Sequence, residues 1–378
     1  NIMNKLKVVT VVGTRPEIIR LSAIIKRLNA SKSIDHYLVH TGQNYDKELN
    51  EIFFEDLNIN RPDYYLDAAS DSASSTIGNI LVNLEPILKK INPDSFLVLG
   101  DTNSCLSAIV AKKMKIPVFH YEAGNRCFDQ RVPEEINRKI VDVVSDVNLT
   151  YSKISRNYLI AEGLSQDQII NIGSPMREVI NQNQKKINSS KILSDLNLKK
   201  NKYFVVSFHR EENINSKNFK SFLLTLDKIV DKYNLPIIFS THPRTRKKLK
   251  IQKTKFSEHI KFIKPLNFSD YNCLQINSLV TLSDSGTISE ESAILKFRAL
   301  NIRDSHERPE AMEEASVIMT GTNWKNIIQS IELIKDQDMS EILMEVDDYK
   351  PKNVSIKLER ILLSYTDYIN KKIWKKES

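Results

Sequence analysis

The sequence predicts an α/β protein of two doubly wound domains, and three observations carry that expectation. The chain has 378 residues, more than one hydrophobic core usually serves. Short apolar runs alternate with segments of helical period, and this rhythm stops once in a polar stretch and then restarts. In the first half the runs are Lys7 to Val12, Tyr37 to Val39, Ser95 to Leu99, Pro117 to His120 and Val147 to Thr150. Runs free of polar alternation are what parallel strands buried on both faces require. Between Asn181 and Lys202 the chain becomes rich in Asn and Lys. The rhythm resumes at Tyr203 to Ser207, Pro236 to Ser240, His259 to Ile263, Ser278 to Leu282 and Arg298 to Ile302. The expected domains are therefore residues 1–180 and 181–352. A closing segment, 353–378, carries Ile356, Leu358, Ile361, Leu362, Tyr365, Tyr368 and Ile369 at helical spacing. It reads as an amphipathic helix expected to pack across the domain boundary.

Composition narrows the function classes. Hydrophobic residues make up 41% and charged residues 27%, the balance of a soluble globular chain. Residues 1–7 hold no apolar signal core, and no apolar run reaches the roughly 18 residues of a membrane span. A cytoplasmic protein is expected. Cys105, Cys127 and Cys273 are odd in number and far apart, which argues against both a disulfide framework and a zinc site. The net charge is +8, but the basic residues are scattered or lie in Lys-rich stretches such as 245–255. An anionic small substrate fits that pattern better than nucleic acid.

The nine glycines include no G-x-G pair, so neither a dinucleotide fingerprint nor a Walker loop is present and no bound cofactor is expected. Gly13-Thr14-Arg15-Pro16-Glu17 follows a strand and opens a helix: Thr14 suits the cap and Pro16 the first turn. Arg15 and Arg20 would flank an amide-rich N-terminus that attracts anions; the plain alternative is a βα turn with a surface arginine. A second cradle reads Ser283-Asp284-Ser285-Gly286-Thr287-Ile288-Ser289-Glu290-Glu291. Ser285 and Thr287 offer hydroxyls, Gly286 permits close backbone approach, and Glu291 could accept from ribose hydroxyls; a simple capping motif is the alternative. Asp101 and Glu122 follow strands, and Glu134 precedes a helix in Arg131-Val132-Pro133-Glu134-Glu135. Acids at the carboxyl ends of one parallel sheet converge on one crevice, the place for acid/base chemistry. Among seven histidines none forms a metal-binding spacing; His36 and His40 suit packing, whereas His209 and His242 end strands of the second half.

These residues, in order and spacing over nearly the whole chain, resemble the non-hydrolysing UDP-N-acetylglucosamine 2-epimerases. The resemblance rests on Val12 to Glu17, Gly100-Asp101-Thr102, Glu122-Ala123-Gly124, Pro133 to Arg138, Gly173-Ser174-Pro175, His209 to Asn213, Ser283 to Gly286 and Glu307 to Glu310. It implies a GT-B fold of two Rossmann-like domains with an interdomain cleft, a homodimer, and no cofactor or metal. It implies Arg15, His209, Ser285 and Arg308 at a diphosphate, Glu291 at the ribose, and Asp101, Glu122 and Glu134 as the acid/base set. Arg20 stands where the parent enzymes usually have Lys. Gly124 to Pro133, Asn301-Ile302-Arg303 and His306 to Pro309 are similar to the branch that makes UDP-N-acetyl-L-fucosamine from UDP-2-acetamido-2,6-dideoxy-L-talose for capsule or O-antigen synthesis. Two departures, Gln43-Asn44-Tyr45-Asp46 without a basic residue and Glu211 in place of Arg, bear on the family's allosteric UDP-sugar site.

Inverting C2 means removing a proton that no neighbouring carbonyl acidifies, and elimination of UDP across C1 and C2 meets that need. The rivals are UDP-N-acetylglucosamine 2-epimerase, a hydrolysing epimerase, a GT-B glycosyltransferase and an inactive UDP-sugar sensor. Three carboxylates and the Glu307-Arg308-Pro309-Glu310 motif favour an epimerase.

Overall fold

The apolar runs form strands because a backbone buried on both faces satisfies its amides and carbonyls only in a ladder. The computed structural model describes residues 4–44, 47–214, 217–251, 255–342 and 345–377. Tyr45 and Asp46 of the altered Gln43 segment, and the side chain of Glu211, lie outside the described residues. The chain divides into two compact units, 1–182 together with 348–378, and 183–347.

The first unit holds strands β1 (Leu6–Val12), β2 (Ile34–His40), β3 (Tyr64–Tyr65), β4 (Ser95–Leu99), β5 (Val118–Ala123), β6 (Val147–Thr150) and β7 (Ile169–Asn171). They pair in parallel in the order β3-β2-β1-β4-β5-β6-β7. The second unit holds β8 (Phe204–Ser207), β9 (Ile237–Ser240), β10 (Ile260–Ile263), β11 (Val280–Ser283), β12 (Ala299–Asn301) and β13 (Ile318–Met319). Their order, β10-β9-β8-β11-β12-β13, repeats that of the first sheet as far as β6, with no counterpart of β7 among the described residues. Each is doubly wound, and the order reverses between β1 and β4 and again between β8 and β11. Ligands of open α/β sheets bind outside the carboxyl ends of the strands at that reversal.

Each unit has its own core. In the first, Val9, Val11, Phe96 and Val98 pack with Ile80, Leu84 and Leu88 of the helix Ala73–Ile91. In the second, Phe204, Val206, Phe239 and Leu282 pack with Phe222, Leu226 and Ile229 of the helix Lys217–Tyr233. His36 and His40 are packing residues: His36 Nε2 meets Thr10 Oγ1 at 2.8 Å, and His40 Nδ1 accepts the Gly42 amide at 2.9 Å. Burial pushes both imidazoles down to about 4, so both are neutral at pH 7.

The terminal helix, Val354–Lys372, belongs to the first unit and runs along the helix Arg15–Ala30. It buries Val354, Leu358, Leu362, Thr366 and Ile369, whereas Ile356 and Tyr368, expected on its apolar face, are about two-fifths exposed. Two polar contacts lie on the same face: Thr366 Oγ1 is 2.5 Å from Ser95 Oγ, and the Ser355 hydroxyl donates to Glu178 at 2.9 Å. Among the described residues no helix is long and apolar enough to cross a membrane, and no group of three His, Cys, Asp or Glu is arranged to hold a metal ion.

Candidate active site

In the first unit the site residues flank the strand reversal. After β1, Gly13 and Thr14 lead into the helix Arg15–Ala30, and Glu17 draws the turn together. Its carboxylate accepts the amides of Gly13 (2.9 Å) and Thr14 (2.7 Å) and the hydroxyls of Thr14 and Thr102 (both 2.9 Å). Thr102 follows Asp101, so Glu17 ties the turn after β1 to the turn after β4. Burial pushes the Glu17 carboxyl upward, and those four hydrogen bonds pull against it. Gly13 is required by packing, since a Cβ there would stand 1.8 Å from Ser104 Oγ and 2.5 Å from Thr41 Oγ1. Arg15 is half-buried, its guanidinium 5.4 Å from the centre of the Phe53 ring.

Asp101 does not cap the helix that follows; Thr102 takes that position, and the Asp101 carboxylate pairs with Arg138 instead (2.9 and 3.0 Å). Arg138 is 2% exposed and also bonds Glu135 at 3.0 Å. Both sit on the helix Pro133–Val144, whose first turn carries Glu134 one helical turn before Arg138 and on the same side. Glu122 is presented differently. The β5–β6 pairing shifts register between Tyr121 and Ala123, and Glu122 at the shift has φ of +66°. Such a bulge re-aims a side chain, and a left-handed backbone at a non-glycine residue costs about 1 kcal/mol. The Glu122 carboxylate is 3% exposed and pairs with Arg20 at 2.8 Å, so Arg20, expected to flank an anion-attracting helix N-terminus, here meets one of the carboxylates expected to serve as acid or base. Gly100, just before Asp101, lies near Glu122: a Cβ on it would stand 4.0 Å from Glu122 Oε1.

In the second unit the reversal lies between β8 and β11, and Asp284 at the end of β11 organises it. Its carboxylate accepts the amides of His209 (2.9 Å) and Arg210 (2.8 Å) and the side-chain amide of Asn213 (3.1 Å). The turn carrying His209 is thereby held against the turn carrying Ser285. His209 Nδ1 lies 3.3 Å from Thr245 Oγ1, and its ring centre 6.2 Å from that of His242. Ser285, Gly286 and Thr287 precede the helix Ile288–Leu295 as expected. Glu291, one turn in, accepts the Gln275 amide at 3.0 Å. Arg308 is 2% exposed and donates to Glu290 at 2.8 Å. Beside it, Glu307 bridges Arg303 (2.6 Å) and Arg210 (3.0 Å).

Arg138, Glu135, Asp142 and Gln275 were missed as site residues. A signal existed for three of them: positions 135, 138 and 142 share one face of a helix, and all three are charged on a face that the fold buries. Gln275 gave none.

Gly286 supplies a test of this geometry. A Cβ there would lie 2.4 Å from Glu307 Oε1, which two arginines hold in place. Gly286→Ala is expected to lower unfolding stability by about 1–3 kcal/mol. Gly78→Ala, in the open on the helix Ala73–Ile91, is expected to raise it by about 0.5–1 kcal/mol. Urea titration of both variants checks the contrast.

Comparison with known proteins gives one answer. The family described as UDP-N-acetylglucosamine 2-epimerase matches residues 26–363. The UDP-N-acetylglucosamine 2-epimerase of Methanocaldococcus jannaschii is 37% identical over 87% of this chain and 92% of its own length. The UDP-2,3-diacetamido-2,3-dideoxy-D-glucuronate 2-epimerase of Pseudomonas aeruginosa is 30% identical over 86% and 91%. The structure of UDP-N-acetylglucosamine 2-epimerase from Rickettsia bellii matches with a TM-score of 0.93 at 47% identity, covering 99% of this chain and 100% of that one. The two parallel-sheet units are accordingly those of the GT-B-like epimerases. The chain belongs to the UDP-N-acetylglucosamine 2-epimerase family and is an isomerase of UDP-sugars.

Proposed function

We propose that the enzyme inverts C2 of a UDP-2-acetamido sugar by eliminating and re-adding UDP. One observation carries the proposal: Asp101 and Glu122 end neighbouring strands of one sheet, with Glu134 on the helix that holds Asp101 through Arg138. One carboxylate takes the C2 proton while the C1–O bond breaks and its electron pair leaves with UDP. The C2–H electrons form a C1–C2 double bond, giving a glycal. A second carboxylate returns a proton to the opposite face of C2, and UDP adds back at C1. Arg15, His209, Ser285, Arg308 and the amides around Gly286 and Thr287 serve the diphosphate, where charge develops. Arg20 steadies Glu122, and Glu291 takes the ribose.

The substrate proposed is UDP-2-acetamido-2,6-dideoxy-L-talose, giving UDP-N-acetyl-L-fucosamine for capsule or O-antigen synthesis. Its support is the segment Gly124 to Pro133. Asn125 and Arg126 are buried within the protein, whereas Phe128, 75% exposed, and Gln130, Arg131 and Pro133 lie on the surface where a sugar could meet them. The second reading is UDP-N-acetylglucosamine to UDP-N-acetylmannosamine, favoured by the Methanocaldococcus jannaschii relative, a UDP-N-acetylglucosamine 2-epimerase. The Pseudomonas aeruginosa relative acts on a third UDP-sugar, so family membership leaves the sugar open. Three buried cysteines, far apart in the sequence, suit the cytoplasm.

A homodimer is proposed on separate grounds. Ile136, Ile140 and Val143 form an exposed apolar stripe on the helix Pro133–Val144, at 55%, 37% and 70% exposure, with Val82 of the helix Ala73–Ile91 70% exposed. A stripe of this kind marks an interaction surface. Sedimentation is expected to give a dimer that Val143→Glu converts to monomer; a wild-type monomer would remove the proposal.

The activity is tested by proton NMR in deuterium oxide with both UDP-sugars. Deuterium is expected at C2 as the L-fuco product forms, and Glu122→Gln is expected to abolish it. Exchange with UDP-N-acetylglucosamine alone would transfer the activity to the second reading. Full turnover in Glu122→Gln would overturn the mechanism, and no exchange with either sugar would point to a transferase or sensor.

A further inference from the structure

His120 lies on β5, fully buried, one residue before Tyr121 and two before Glu122. Its Nε2 is 2.8 Å from the Gly100 carbonyl oxygen, and its Nδ1 is 2.8 Å from Asp142 Oδ1. A carbonyl oxygen only accepts, so Nε2 carries a proton. The state of Nδ1 then depends on Asp142. Asp142 is itself fully buried on the helix Pro133–Val144, and its other oxygen accepts from Arg126 Nη1 at 2.7 Å and from the Gly124 amide at 3.2 Å. A carboxyl group facing a buried guanidinium and a backbone amide is held as the anion, because its protonated form would leave Arg126 undercompensated. Nδ1 must therefore donate as well, which makes the ring a cation. The charges then close: His120 and Arg126 are balanced by Asp142 and by Glu162, which takes Arg126 in a two-pronged pair at 2.7 and 2.9 Å.

We propose that His120 is a positioning residue held as an imidazolium, a fixed buried cation that ties the end of β4 to the turn after β5 and so sets the placement of Asp101 and Glu122. Through Nε2 it orients the peptide that joins Gly100 to Asp101. Through Nδ1 and Asp142 it reaches the amide of Gly124, two residues beyond Glu122. The Gly100 and Gly124 backbones lie in the left-handed region, with φ of +91° and +78°, so neither turn is secured by ordinary strand geometry. Arg138 and Asn137 hold the carboxylate and the carbonyl of Asp101, respectively, from the same helix that carries Asp142. One helix thus gathers both turns.

The surrounding groups agree. Burial opposes the charge, but the hydrogen bond and charge of Asp142, the Gly100 carbonyl and the nearby Glu122 carboxylate outweigh it, and the imidazole is raised above its usual range near 6.5. Arg20 faces Glu122 and Glu162 faces Arg126, each from another element. With a raised folded-state value, the stabilisation is complete below about pH 6.5 and is lost as pH rises through that raised value.

The test uses the full chain labelled with nitrogen-15 in histidine. His120 is expected to show both ring nitrogens protonated from pH 6 to at least pH 8. In Asp142→Asn at pH 7.5 the same ring is expected to lose the Nδ1 proton and keep the Nε2 proton. A wild-type His120 that is neutral at pH 7.5, or that titrates with an ordinary midpoint near 6.5, overturns the charge assignment. The positioning half rests on the epimerase reading. In folded His120→Gln the rate of C2 exchange is expected to fall about 100-fold with KM within about twofold, the signature of misplaced acid/base groups. An unchanged rate overturns the positioning role, as does a loss confined to KM. A wild-type chain with no exchange overturns the epimerase reading and the positioning role together; the wild-type NMR result still decides the charge.

Discussion

Charge placed at the carboxyl ends of parallel strands sits where the fold leaves little water, and it has to be paired to stay there. This constraint organises both units. In the first, Asp101 is matched by Arg138, Glu122 by Arg20, and Asp142 by His120 and Arg126. In the second, Glu307 is matched by Arg303 and Arg210, and Glu290 by Arg308. The buried acids, those proposed for the acid/base chemistry among them, are thus embedded in counter-charges supplied by neighbouring helices and turns. Removing one member of such a pair leaves a buried charge alone, so these networks rigidify the turns as well as the side chains.

The same pairing explains how a repeated scaffold acquires two different faces. Both sheets share one strand order, and both collect their polar residues at the strand reversal. The first unit offers mainly carboxylates there, presented by a turn after β4 and a bulge in β5. The second offers a glycine-containing turn, a histidine and a buried arginine, the chemistry of an anion cradle. The elimination and re-addition of UDP proposed above would draw on both kinds of face.

Most of this was legible in the sequence, and the exceptions have identifiable physics. The apolar runs that core packing demands were visible, whereas β3, β7 and β13 were not, because two- and three-residue strands at a sheet's edge carry no period. Gly13 to Glu17 and Ser283 to Glu291 announced their turns through glycine and capping residues. The bulge at Glu122 left no such mark, since its left-handed residue is neither glycine nor asparagine. His120 looked like an ordinary strand residue, and only the position of Asp142 on a helix 22 residues later shows what it faces. The terminal helix was read with too wide an apolar face, because Ser355 and Thr366 share its buried side with Val354, Leu358, Leu362 and Ile369 through polar contacts.

The central claim, that C2 inversion proceeds through departure and return of UDP, is tested most directly with a UDP-sugar carrying oxygen-18 in the bridge between C1 and the β-phosphate. If UDP leaves, its terminal phosphate oxygens become equivalent before it adds back. The label is then expected to appear in non-bridging positions of recovered UDP-sugar at a rate comparable with epimerisation. Epimerisation with the label fixed in the bridge would contradict the account.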